Sequence, residues 1–177
     1  MKKALTLLIT LMLSCHMAKA ENLDKCLKGW NSTESGNYIE AISLYEMCMH
    51  EGQLSNSSLT RTYRNLGITY RRSKDFQNAV LSYNKAIALN PPDVVDDYVN
   101  RGNAYDQDGK FIEALADYET ALSLKPHYND VYYNRGIAYE NNKMYEKATE
   151  QFILAYKYGL RSNLLYERLV AYKIIKE

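Results

Sequence analysis

Few residues in this sequence have the type and spacing that bond-making chemistry needs. Beyond the first twenty residues there are two histidines, His50 and His127, and two cysteines, Cys26 and Cys48. Paired ligands of the His-x-x-x-His or Cys-x-x-Cys kind, a Gly-rich phosphate loop and a Gly-x-Ser-x-Gly turn do not occur. Asp96-Asp97 and Asp106/Asp108 supply carboxylates, but not in the alternating order of a calcium loop. No catalytic residue, metal ligand or cofactor is expected. Binding chemistry is better represented. Arg61, Arg64, Ile68 and Arg71 recur at i, i+3, i+7 and i+10, so they share one face of a helix. Asn65, Asn100 and Asn134 recur at near-equal intervals, and each carboxamide offers both a donor and an acceptor.

These groups need a scaffold, and composition bounds it. The chain has 177 residues, 24% charged and 46% hydrophobic, with 8 Gly and 3 Pro. That composition supports a packed core rather than disorder. A net charge of +1 gives no basic excess for nucleic acid. Residues 1–20 read as a secretory signal peptide. Lys2 and Lys3 precede the apolar run Ala4–Leu13, which is too short to span a bilayer, and Ala18-Lys19-Ala20 forms a cleavage site. Cleavage after Ala20 leaves 19 basic against 21 acidic residues, a net −2, and no membrane span. The product is then periplasmic or secreted. Lipidation at Cys15 is the alternative fate.

Self-similarity organises the rest. Tyr63-x-x-Leu66-Gly67-x-x-Tyr70 precedes Ala79-x-x-x-Tyr83 and Pro91. Tyr98-x-x-Arg101-Gly102-x-x-Tyr105 precedes Ala114-x-x-x-Tyr118 and Pro126. Tyr132-x-x-Arg135-Gly136-x-x-Tyr139 precedes Ala148-x-x-x-Phe152. The glycines lie 35 and 34 residues apart, each 12 before its alanine. A fainter first unit carries Gly29, Ala41 and Tyr45 in the same register, and Asn163–Glu177 repeats a first helix alone. Small residues at fixed slots let two antiparallel helices approach closely, and the aromatics fill the space between neighbouring pairs. Eleven of the 17 tyrosines fall in repeat slots, which makes them structural.

This pattern is identified as that of the tetratricopeptide repeat family, over roughly Asn22–Glu177. The resemblance implies an all-α fold, a right-handed α-α superhelix of about four helix pairs closed by a capping helix. The pairs cover 22–55, 60–93, 95–128 and 129–162, and the cap covers 163–177. The resemblance also implies a concave groove, lined by the first helices, that holds a protein or an extended peptide without catalysis. Its slots fall on Trp30, Arg61, Arg64, Asn65, Arg71, Asn100, Asn103, Asp106, Tyr133 and Asn134. Either the groove is dipolar, basic on the second pair and acidic on the third and fourth, or Arg61 and Arg71 pair laterally with Asp96 and Asp106. The family's carboxylate clamp needs Lys or Arg where this chain has Asp96 and Asp130, which argues against it. The asparagines resemble the ladder of the O-linked N-acetylglucosamine transferase superhelix, which grips peptide backbone, with Trp30 as an aromatic anchor.

Cys26 and Cys48 each lie 11 residues from Asn37 in the turn of the first pair, so antiparallel helices bring them to similar heights. An oxidising compartment favours a disulfide. A Cys26–Cys48 disulfide is therefore expected, against the repeat register, which puts Cys26 on the groove side and Cys48 in a small buried slot and would leave two free thiols. The expected role resembles that of small exported bacterial members, adaptors in envelope, secretion or pilus assembly. The competing readings are a self-associating structural protein and a scaffold anchored through Cys15.

Overall fold

The computed structural model describes residues 24–51, 54–89 and 91–175; the signal segment and Cys15 lie outside them. Among the described residues every regular element is an α-helix. α1 covers 24–34, followed by α2 (Tyr38–Glu51), α3 (Asn56–Arg72) and α4 (Phe76–Ala88). Then come α5 (Val94–Gln107), α6 (Phe111–Leu124), α7 (Asn129–Asn141), α8 (Tyr145–Lys157) and α9 (Asn163–Ala171). The chain divides into two compact units, one ending at Pro91 and one beginning at Pro92. In the first, α3 packs on α4 and α2 on α3. In the second, α5 packs on α6 and α7 on α8, with α6 against α7, α5 beside α7 and α9 on α8.

Local chemistry explains where the helices start and turn. Ser55, Asp75 and Ser162 accept from the backbone N–H three residues on, at 3.2 Å each, and so cap α3, α4 and α9. Each hairpin turn holds one left-handed residue: Gly36 (φ 81°), Lys74 (65°), Gly109 (75°) and Lys143 (60°). The next residue's N–H then returns to the helix end, as Asn37 to Ser32 O (2.8 Å) and Asp75 to Tyr70 O (2.8 Å). This closure satisfies carbonyls that the helix leaves open, and it repeats the same reversal in every pair.

The core of each pair is an aromatic ring laid on a bare helix backbone. A Cβ at Gly67 would stand 2.7 Å from the Tyr83 ring, and one at Gly102 would stand 2.8 Å from Tyr118. Each ring lies against the glycine of its own pair and, as expected, also meets the helix that follows: Tyr45 clusters with Leu66, Tyr118 with Val131 and Ala138, and Phe152 with Leu165 and Leu169. One slot before the glycine, Arg101 donates two hydrogen bonds to the Asp117 carboxylate, at 2.8 and 2.6 Å. Arg135 makes the equivalent pair of bonds to Gln151 Oε1, at 2.8 and 2.6 Å. The Arg101 guanidinium also stands 5.4 Å from the Tyr98 ring and 6.0 Å from Tyr105. The repeated tyrosines therefore hold the arginine that ties the hairpin together.

Leu165 and Leu169 of α9 are buried against Ala148, Phe152 and Ala155. With those two facing inward, Leu164 and Tyr166 are left 58% and 47% exposed. The outer face of α9 is thus partly apolar, with the charged Glu167 exposed beside them.

Candidate functional site

In the N-terminal unit a cleft of about 650 Å³ is lined by Asp24, Cys26, Leu27, Trp30, Leu54, Ser58, Arg61, Thr62 and Asn65. Cys26, Leu27 and Trp30 share one face of α1, and Ser58, Arg61, Thr62 and Asn65 share one face of α3. Three expected groove residues, Trp30, Arg61 and Asn65, therefore meet in one place. Leu27, Leu54 and Ser58 were not foreseen. Leu27 lies three residues before Trp30, a spacing that could have revealed it; Leu54 sits outside any helix and carried no signal.

Cys26 lies in the wall of this cleft and stands at disulfide distance from the fully buried Cys48, with a Cα separation of 5.5 Å. The register that argued for free thiols does not keep them apart. Gly29, one turn along, lets α1 approach so closely that a Cβ there would be 3.0 Å from Tyr45. Cys26 Sγ also lies 3.2 Å from Thr62 Oγ1 on α3. Deeper, the Thr33 and Thr69 hydroxyls are 2.7 Å apart, and Thr69 donates to Asn65 O at 2.8 Å. Burial pushes the Tyr45 phenol up, opposed by the adjacent Thr33, Thr69 and Asn65 side chains.

The charge of the cleft is uneven. Asp24 is paired with Lys28 at 2.6 Å, both exposed. Arg61 is exposed and takes no hydrogen bond or ion pair among the described residues. One face of Trp30 lies 6.0 Å from the Arg72 guanidinium, which Glu34 holds at 2.7 Å. Arg64 and Arg71 are half-buried, and the Arg71 Nε is buried without an acceptor.

In the C-terminal unit the expected groove slots are largely engaged within the fold. Asn103 Oδ1 accepts from Tyr118 OH at 2.7 Å. Asp106 accepts from Asn141 Nδ2 at 3.1 Å, and burial pushes its carboxyl up. Asp96 accepts from Tyr128 OH at 2.8 Å; burial, then that bond, pushes this phenol up to about 12. Tyr133 OH accepts from Arg168 Nη1 at 3.1 Å, and Tyr172 OH donates to Glu140 Oε1 at 2.8 Å. Asn103, Asp106 and Tyr133 of the expected groove are half-buried, and each thus makes one side-chain bond within the fold. The partners of Asp96 and Asp106 are the uncharged Tyr128 and Asn141, in place of the Arg61 and Arg71 that the lateral alternative named. Asn100 and Asn134 are half-buried, and their carboxamides make no hydrogen bond among the described residues.

Family models match the chain in three places: a TPR repeat at residues 102–143, and tetratricopeptide repeats at 60–93 and 130–158. The Hsp70-Hsp90 organizing protein of Triticum aestivum is 33% identical over 138 residues, which is 78% of this chain and 24% of the relative. The chain spans about a quarter of the length of the curated relatives it matches. Among solved structures, MamA is 25% identical with a TM-score of 0.65, covering 77% of each chain. YrrB, described as a TPR protein with an unusual peptide-binding site, is 22% identical with a TM-score of 0.65, covering 82% of this chain and 71% of its own.

Proposed function

The chain belongs to the tetratricopeptide repeat family, and on that premise we propose that it is an adaptor holding an extended segment of a partner protein in the α1–α3 cleft. Members of the family generally bind proteins or peptides and are generally non-catalytic. The observation that carries the reading is the cleft itself, where an aromatic anchor, an exposed cation and a carboxamide converge. Asn65 supplies a donor and an acceptor for partner backbone, which needs both. In the C-terminal unit Asn100 and Asn134, unbonded among the described residues, offer carboxamides of the same kind on α5 and α7. The likeness to YrrB supports the reading. The signal-like residues 1–20 support a site of action outside the cytoplasm, periplasmic or secreted, in envelope or secretion-related assembly.

Cross-linking in the native compartment tests this. A photoreactive residue in place of Leu27 should capture a partner protein, whereas one in place of the exposed Glu119 on α6 should not. Equal capture at both positions would remove the cleft from the reading. Self-association is the second reading, favoured by the exposed Ile153, Tyr156, Leu164 and Tyr166 of α8 and α9. Light scattering decides it: a monomer at all concentrations rejects it.

A further inference from the structure

Resting on the peptide-binding reading above, we infer that the cleft selects a segment with a large apolar side chain and a carboxylate two residues away from it. Leu27, Trp30 and Leu54 form an apolar wall, and the cleft's volume of about 650 Å³ accommodates a side chain the size of Leu or Phe with its backbone. Charge then decides what lies beside that anchor. Lys28 neutralises the single acidic lining residue, Asp24, while Arg61 has no partner among the described residues. The rim is therefore net positive and calls for an anion.

Register sets the spacing. Cys26 touches Thr62 and Thr33 touches Thr69, both 36 residues apart, so Trp30 is level with Leu66 and its neighbour Asn65. Arg61 lies one turn away, a rise of about 6 Å. An extended chain advances about 6.6 Å between side chains on the same side, which are two residues apart. A segment laid along α3 with its anchor on Trp30 thus brings its next same-side residue to Arg61. The peptide unit between them passes the Asn65 carboxamide.

Trp30 is the sole tryptophan of the chain, so its emission reports occupancy directly. The probes are acetylated, amidated heptapeptides, Gly-Ser-Phe-Ser-Asp-Ser-Gly and the reverse order. One of the two should shift Trp30 emission saturably. Asp-to-Asn replacement in that peptide should weaken binding about fivefold or more, the scale of one charge-assisted hydrogen bond. Arg61→Gln should weaken it equally and abolish the Asp/Asn difference, while Arg61→Lys should retain part of it. Binding that ignores the Asp, or a difference that survives Arg61→Gln, would overturn the ligand class and leave peptide binding intact. Silence with every peptide while the Leu27 position still captures a partner would also overturn the ligand class alone. Silence in both experiments would remove the peptide-binding reading itself.

Discussion

A methyl group added to Gly136 would lie 2.5 Å from Cε1 of Phe152 across the α7–α8 hairpin. The ring is fully buried, so it has nowhere to retreat. Glycine at this slot is required by contact, since its backbone is ordinary helix. Gly136→Ala gains about 1 kcal/mol of helix propensity but should lose more through overpacking, which costs about 1–3 kcal/mol. Gly29→Ala, where the Cβ would meet Tyr45 at 3.0 Å, should be milder. Urea unfolding of the two variants checks the order. Equal midpoints would show that the rings move aside freely.

The Arg101–Asp117 pair makes a sharper demand. Both side chains are largely buried, at 19% and 7% exposure. Asp117→Ala removes both bonds that Asp117 accepts from the guanidinium and should destabilise by about 3 kcal/mol. Asp117→Gln copies the Arg135–Gln151 arrangement one repeat later and should cost about 1 kcal/mol or less. Similar losses in both variants would mean that charge, and not hydrogen-bond geometry, holds the pair.

Cys26 and Cys48 enclose a separation of 22 residues. Bridged, they should contribute about 3 kcal/mol, and reduction should lower Tm by roughly 10 °C. The denatured, unreduced protein should show no free thiol at either position. Two titratable thiols there, or a Tm indifferent to reductant, would contradict the bridge.

Asp106 gives a pH dependence with a definite sign. Burial raises its carboxyl above the ordinary value, opposed by the bond from Asn141, so the folded state takes up this proton before the unfolded state does. Its contribution to stability is full below the ordinary carboxylate value and is lost as pH rises through the raised one. Asp106→Asn keeps an acceptor for Asn141 and removes the charge. It should be more stable than the parent at pH 7, with the difference shrinking toward pH 3. A constant difference across that range would exclude Asp106 as the source.

The repeat architecture was legible because its determinants are short-range and periodic. Gly67 before Ala79 and Tyr83, then Gly102 before Ala114 and Tyr118, fix where helices touch whatever the rest of the chain does. Partner choice was not legible in that way. Arg101 and Arg135 occupy one slot, yet their acceptors, Asp117 and Gln151, differ and lie across a turn on another helix. The groove showed the same limit. Helix periodicity placed Asn103, Asp106 and Tyr133 on equivalent faces of α5 and α7, but their bonds to Tyr118, Asn141 and Arg168 are contacts that no local spacing announces. The α1–α3 cleft depends on both kinds of information. Trp30, Arg61 and Asn65 were named by sequence register. Their convergence with Leu27 and Leu54 was decided by tertiary structure, because a cavity is the space left between elements and has no residues of its own until those elements pack.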